Sequence, residues 1–480
     1  MRYTAIALDF DGTIAHDGAV PDHVMAGLAE LKASGRKLLL VTGRELQELI
    51  GIFPRITLFD RVVAENGALM YRPSTRERVE LGEPPPQALV DALKATGMPL
   101  AVGHTILATV RPHEGAVLSC IAALGLEQQV IFNKGAVMVL PPGCNKASGL
   151  KAALAELELS PRNVVAGGDG ENDHALLEMA EYSVATANAI QTLKDAADYV
   201  TQATHGDGIL EVIRGLLDSD LASMPPRRRR RALCLGVDAQ GAPVTLPSRR
   251  ASLLVAGEPR DTASVALTLL ERLCKAGYQF CVLDTRGDYL DFHPAVAFGT
   301  LAHPPSPEEI LTALEKPDVQ VVACLAAVPT EDRPDFVSRL LGSLRSLRQA
   351  TGRPHWILAD EAHELLPSSG GPTEGAENAI YVSADPMALA PAVLSSVDGF
   401  AACGDRAAAM LDAFAAAVSW PKPPAIARAP RSEEALAWFR KSERSPTLVR
   451  VTTARKEAQS AHDERPIEKS TEVGQVLRRA

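Results

Sequence analysis

At 480 residues the chain is long enough for two or three domains with a core each. Hydrophobic residues make up 46% and charged residues 22%, and the formal net charge of −10 excludes a global attraction to nucleic acid or to an anionic membrane. Aromatics at 4% leave little for base stacking, the seven cysteines form no C-x-x-C pair, and no apolar run reaches the length of a membrane span.

The chain opens on the strand-like run "YTAIALDF" with no cationic leader, which predicts a cytoplasmic protein. From there to about residue 217, short apolar strands alternate with helical patterns. "TAIALDF" and "KLLLVTG" read as buried strands, "DHVMAGLAELKASG" as an amphipathic helix between them, and "DRVVAEN" and "NVVAGGD" as further strands. This order predicts a mostly parallel sheet with helices on both faces and a site at the carboxyl ends of the strands.

Polar clusters fall at those ends. Asp9 closes the first strand in "LDFDGT" and Asp11 follows it; Thr42 closes the second in "VTGR", next to Gly43. Lys146 opens a helix in "CNKASGL", and "GGDGENDHALL" puts Asp169, Asn172 and Asp173 after a later strand. Carboxylates converging at one sheet edge repel unless a cation sits among them, and hard oxygen donors suit Mg²⁺. A nearby lysine and hydroxyl complete a cradle for a phosphoryl group.

With "DFDGT", "VTGR", Lys146 and "GDGEND" in this order, residues 1 to about 217 resemble the haloacid dehalogenase superfamily of phosphohydrolases. "AENGALMY" and "ANAIQTLKDAADYVTQATHGDGI" are similar to its Cof-like, sucrose-phosphatase-like subclass. The resemblance implies a role for each position. Asp9 would be the nucleophile and Asp11 the general acid and base. Thr42, Gly43, Lys146 and Asn172 would hold the phosphate. Asp9, the Asp11 carbonyl and Asp169 would hold Mg²⁺, with Asp173 supporting that site. It also implies a core of residues 1–82 and 142–217 with an α/β cap over 83–141. In that insert, "HTILATVRP" and "QQVIFNKGAVMVLP" read as strands, the second turning at Asn133-Lys134-Gly135, and His104, Arg111 and Lys134 are candidate substrate contacts.

"SMPPRRRRRA" is the clearest boundary: prolines stop a helix, and adjacent arginines repel into an extended, solvated linker over 218–231. Residues 232–452 again alternate strands and helices, with "SLLVAG", "QFCVLD", "VQVVACL", "HWILAD" and "AIYVSA" as strands. The acid pair Asp360-Glu361 ends one of them. This half resembles the RecA-like ATPases of the hexameric DNA-pumping type, with a departure at the phosphate loop. After Gly257, Thr262, Ala263 and Ser264 stand where that loop's glycine, lysine and serine belong. Gly257, Ser264, Asp360 and Glu361 are therefore read as a degenerate nucleotide site, in a docking, regulatory or oligomerising module. Residues 453–480 read as a charged, disordered tail.

The expected fold class is thus α/β: a Rossmann-like core with a parallel sheet and a small α/β cap, followed by a second RecA-like α/β domain. The expected activity is Mg²⁺-dependent hydrolysis of a small phosphorylated metabolite, such as a sugar phosphate or phosphoglycolate, with no membrane or nucleic-acid partner and homo-oligomerisation through the second domain. Three rivals stand beside it: phosphoryl transfer between sugar hydroxyls, a non-enzymatic phosphometabolite sensor, and a working ATPase in the second half.

Overall fold

The computed structural model describes residues 1–451 apart from 229, 250, 370–374, 422, 425–427, 432 and 441–444; the tail expected over 453–480 lies outside the described residues. The chain divides into two compact units: Met1–Arg231 with Leu311–Val319 and Gly342–His355, and the remainder. Among the described residues no helix is long and apolar enough to cross a membrane.

The first unit carries β1 (Ala5–Leu8), β2 (Lys37–Val41), β3 (Arg61–Ala64), β4 (Leu69–Arg72) and β5 (Glu77–Glu80). The cap strands follow: β6 (Ala101–Val102), β7 (Leu107–Val110), β8 (Gln129–Asn133) and β9 (Ala136–Leu140). β10 (Val164–Gly168), β11 (Tyr182–Ala185) and β12 (Tyr199–Val200) return to the first sheet. Its order is β12-β11-β10-β1-β2-β3-β4-β5, with β6-β7-β9-β8 forming a separate sheet. Pairing is parallel from β12 to β3 and antiparallel at β4 and β5.

The helices in chain order are α1 (Asp22–Ala33), α2 (Leu46–Ile52), α3 (Gln87–Ala95), α4 (Glu114–Ala123), α5 (Lys146–Glu156), α6 (His174–Met179), α7 (Gln191–Ala196) and α8 (His205–Ser219). Strand periodicity divides the two cores. Ile6, Leu8, Leu38 and Leu40 pack with Val24, Leu28 and Leu31 of α1 and Ile209, Val212 and Leu216 of α8. Their neighbours Ala5, Ala7, Leu39 and Val41 point the other way, onto Leu150 and Leu154 of α5 and Leu176 of α6. A sheet buried on both faces explains why these strands read as continuous apolar runs. In β1 the alanines face one side and Ile6 and Leu8 the other, so a one-residue slip would exchange the two sets.

The arginine run departs from the expected solvated linker. Arg230 Nη2 donates to Asp198 Oδ2 at 2.8 Å and to the Ala180 carbonyl at 3.0 Å, and Arg228 and Arg231 also donate to main-chain carbonyls. A buried carboxylate and the carbonyls around the end of α6 draw in the guanidinium groups, and this outweighs their mutual repulsion.

The second unit is an α/β layer of eleven strands. They are β13 (Leu233–Val237), β14 (Pro243–Leu246), β15 (Leu253–Ala256), β16 (Phe280–Asp284), β17 (Val296–Phe298) and β18 (Val321–Cys324). The rest are β19 (Trp356–Ala359), β20 (Ala379–Ser383), β21 (Gly399–Ala402), β22 (Glu434–Phe439) and β23 (Thr447–Arg450). The order is β14-β13-β23-β22-β21-β15-β20-β19-β16-β18-β17. The five apolar runs picked from the sequence are β15, β16, β18, β19 and β20, and they pair in parallel with one another and with β17 and β21.

The altered phosphate loop takes a definite form here. α9 (Pro259–Lys275) begins two residues after Gly257. Thr262, Ala263 and Ser264 thus lie inside a helix rather than in a loop. A phosphate-wrapping loop needs main-chain N–H groups turned inward before the helix starts; Pro259 at the first helical position brings that start forward.

Candidate active site

The loop after β1 carries Asp9, 5% exposed, and the more open Asp11. Gly12 between Asp11 and Thr13 has φ +85°, and a Cβ there would meet Asp169 Oδ2 at 2.2 Å. Only glycine lets the first loop lie against the carboxylate after β10. Thr13 donates to Asp9 Oδ2 at 3.2 Å.

Lys146 arrives from the other side of the chain. Asn145 caps α5 in a capping box with Ser148, which fixes the first turn and the direction of Lys146. The cap itself is held by the Glu65-Asn66-Gly67 turn after β3. Gly67, at φ +106°, comes so close to Asn145 that a Cβ would sit 1.8 Å from its carbonyl oxygen. The "AENG" stretch is therefore a packing requirement for the placement of Lys146. That ammonium, 1% exposed, donates to Asp9 Oδ1 and Asp173 Oδ1 at 2.6 Å each.

Three buried carboxylates, Asp9, Asp169 and Asp173, offer oxygens within 4.8 Å of one another. Burial, then Asp173, push Asp9 up to about 7, against the opposing pull of Lys146. Burial also raises Asp169. The neighbouring carboxylates hold Lys146 firmly protonated against the opposing effect of burial. Asp173 has little left to offer a metal: its Oδ2 accepts the main-chain N–H groups of Asp169 and Gly170 at 2.9 Å, and its Oδ1 takes Lys146.

The residues fit Mg²⁺ on a direct observation. Lys134 Nζ, from the β8–β9 turn, lies 2.7 Å from Asp169 Oδ2 and 3.0 Å from the Asp11 carbonyl oxygen. Its ammonium stands in for a cation at the point where those two oxygens converge. An all-oxygen set of this kind suits a hard divalent ion.

A cavity of about 360 Å³ opens beside these groups, lined on the core side by Asp9, Asp11, Gly43, Arg44, Glu45 and Glu48. The segment that carries the β6-β7-β9-β8 sheet contributes Asn133 and a mostly apolar wall that includes Val102, Ile106 and Met138. Thr42 is fully buried, and its hydroxyl accepts the N–H of Arg44 at 3.2 Å. Asn172 Nδ2 donates to Asn66 Oδ1 at 3.0 Å, and a Cβ on Gly43 would lie 3.4 Å from Asn172 Nδ2. Of these three, Gly43 lines the cavity, with Asn172 close behind it, while Thr42 is not part of the lining.

The three cap candidates separate. Lys134 reaches Asp169, whereas His104 faces Arg78 at 2.8 Å and Arg111 stacks over Phe132 at 4.9 Å; none of the three is among the residues lining the cavity. His104 and Arg111 are drawn off by neighbours in the fold that their sequence positions do not reveal. Two residues were missed by the sequence reading. Arg44 grips Asp11 with Nε and Nη2, at 2.6 and 2.7 Å. Glu65, fully buried, accepts the N–H groups of His104, Thr105 and Ile106 and so ties the cap loop to the core. Their signal was available: each lies within two residues of a strand-end cluster, in "VTGR" and "AENG".

In the second unit, Ser264 lines a cleft of about 980 Å³ with Glu258, Arg260, Asp261 and Asp405, among others, and that lining includes neither Asp360 nor Glu361. Asp360 is within 3.5 Å of the Tyr289 hydroxyl, and Glu361 pairs with Arg286.

Comparison with known proteins agrees with the first unit. The profile of the family described as haloacid dehalogenase-like hydrolase matches residues 6–96 and 126–213, leaving out the middle of the cap. A phosphoglycolate phosphatase of Haloarcula marismortui is 31% identical over 218 residues, 43% of this chain and 95% of the relative. One from Methanosarcina acetivorans is 30% identical over 228 residues, 45% of this chain and 97% of the relative. A solved haloacid dehalogenase-like hydrolase from Bacteroides thetaiotaomicron is 20% identical, covers 45% of this chain and 99% of its own, and has a TM-score of 0.40. With a relative matched over nearly its whole length at this identity, the chain belongs to the haloacid dehalogenase-like hydrolases.

Proposed function

We propose that the first unit hydrolyses a small phosphate monoester of the phosphoglycolate class, through a phosphoryl group carried on Asp9. The observation that carries this reading is the buried Lys146 ammonium, which bridges Asp9 and Asp173 at 2.6 Å beside a cavity of about 360 Å³. The relatives called phosphoglycolate phosphatases support the choice of ester.

In this mechanism a carboxylate oxygen of Asp9 attacks phosphorus as the P–O bond to the leaving alcohol breaks. Asp11 gives its proton to the departing oxygen. A water then attacks the phosphorus, passes a proton to Asp11, and releases inorganic phosphate and the Asp9 carboxylate. Lys146 opposes the burial that raises Asp9 and, with the Thr42 hydroxyl, the Gly43 N–H and the Asn172 amide, stabilises the equatorial oxygens. Asp9, Asp169 and the Asp11 carbonyl would hold a magnesium ion, which supplies positive charge against the phosphoryl oxygens. The cap covers the cavity and keeps bulk water from the acyl phosphate.

For the second unit the same reading assigns no ATP turnover. The support is α9, which starts at Pro259 and leaves no loop to wrap phosphates.

Purified protein given phosphoglycolate and Mg²⁺ should release inorganic phosphate. Asp9→Asn should lower that rate by at least about 10³-fold with an unchanged circular dichroism spectrum, since an amide cannot form the acyl phosphate. A mutant rate near that of the parent would refute the assignment of Asp9.

A further inference from the structure

We infer that Arg44 is the residue that recognises a carboxylate on the substrate's leaving group, taking the place that Asp11 now holds in its fork. The inference rests on the proposed phosphatase reading and deepens it.

Among the described residues lining the cavity, Arg44 is the only lysine, arginine or histidine; the other charged groups there, Asp9, Asp11, Glu45 and Glu48, are all acidic. The cap side of the cavity is mostly apolar. Within that lining an anionic leaving group has one cation to meet. That guanidinium already shows which ligand it fits. Nε and Nη2 hold the two oxygens of Asp11 at 2.6 and 2.7 Å, the two-point fork that matches a planar carboxylate. Glu48 takes the remaining nitrogen, and the Phe10 ring lies 5.8 Å below. Glu45 and Glu48 beside the fork disfavour a dianionic second phosphate, so a monoanion is the better occupant.

The clamp has a consequence for chemistry. While Arg44 holds both oxygens of Asp11, its fork is closed to any other carboxylate. A substrate carboxylate that takes the fork exchanges one carboxylate–guanidinium pair for another, and Asp11 turns free at the moment the substrate is seated. The exchange occurs at a half-open place, the Arg44 and Asp11 side chains being 24% and 37% exposed, so neither charge has to cross a dry interior. An ester without a carboxylate leaves the clamp shut.

The test compares two esters of equal length, phosphoglycolate and 2-hydroxyethyl phosphate, in the presence of Mg²⁺. The parent protein should favour phosphoglycolate in kcat/KM. In Arg44→Gln the ratio of the two kcat/KM values should fall by about 100-fold, the worth of one charge-assisted fork. Much of the loss should lie in KM for phosphoglycolate. Arg44→Lys, which keeps the charge and loses the fork, should retain an intermediate ratio. An equal fall for both esters in Arg44→Gln would mean that Arg44 only positions Asp11, and would overturn the inference. A parent protein that hydrolyses both esters equally well also overturns it while leaving the phosphatase reading intact. A parent that hydrolyses neither ester defeats the phosphatase reading, and this inference falls with it.

Discussion

Both units gather acidic residues at the carboxyl ends of a parallel sheet, and they neutralise them in opposite ways. In the first, Asp9 and Asp173 face the buried ammonium of Lys146, and Asp169 the half-exposed one of Lys134. In the second, Asp284 is satisfied by main-chain N–H groups of residues 286 to 289, Glu361 by Arg286, and Asp360 has an oxygen with no hydrogen-bond partner. Asp9 and Asp360 are both pushed up to about 7, chiefly by burial. The difference lies in the cation. Asp9 has a buried ammonium 2.6 Å away, whereas the nearby guanidinium of Arg286 pairs with Glu361 and leaves Asp360 without a hydrogen-bonded cation. The position at a sheet edge does not by itself make a reactive site; the buried countercharge does.

Removing that countercharge is the most direct way to break the comparison. Lys146→Met leaves Asp9 and Asp173 facing each other without a cation, in a place where both are at least nine-tenths buried. Breaking a buried pair on one side costs about 3–5 kcal/mol, because the remaining charge stays unpaid. Thermal unfolding should show a fall of that order, and phosphate release from phosphoglycolate should drop by at least about 10²-fold. A mutant with parental stability and rate would show that Lys146 does not hold this site together.

The sequence made the first unit's core and its strand-end residues legible for a physical reason. A strand buried on both faces must be apolar throughout, so "AIAL" and "KLLLV" announce themselves, and the polar residues that follow mark the sheet edge. The parallel strands of the second unit were legible on the same ground. The antiparallel flank of β22, β23, β13 and β14 was not, because β13, β14 and β23 are only partly buried and so lack a continuous apolar run. Pairing between side chains was least legible of all. Nothing in "VTGR" says that the arginine turns back onto Asp11, and nothing in the arginine run says that Asp198 waits for Arg230. Such contacts depend on which chain segments the fold brings together, and charge counting along the chain favoured repulsion there.

The uncompensated acid of the second unit sharpens the comparison through pH. Burial is the largest cause of the raised value of Asp360, followed by Glu361, with Arg286 opposing and Asp284 adding to it. Between its unfolded value of 3.8 and about 7, the folded chain binds more protons at this residue than the unfolded one. The associated stability is fully present below about 4 and is lost as pH rises through 7. Asp360→Asn keeps a neutral polar group in place and removes the titration. At pH 8 it should unfold at a higher temperature than the parent, by a margin corresponding to a few kcal/mol at most, and at pH 4 the two should agree. Equal melting temperatures at pH 8 would show that Asp360 ionises there without penalty.

Arg286 provides the smallest and most discriminating contrast, since it does for Glu361 what Lys146 does for Asp9 from a far wetter place. Its side chain is 43% exposed, against 1% for Lys146. Solvent already screens such a charge, so the pair contributes little beyond the cost of leaving Glu361, 6% exposed, without a partner. Arg286→Gln can still offer Glu361 a hydrogen bond, and its expected cost is about 1 kcal/mol or less, several-fold below that of Lys146→Met. Removing the guanidinium also removes an influence that lowers the Asp360 value, so the pH-dependent loss of stability should extend to higher pH than in the parent. A full-length Arg286→Gln protein that loses as much stability as Lys146→Met would overturn the distinction drawn from burial. The acidic edge of the second unit would then depend on its cation as strongly as the first unit's does.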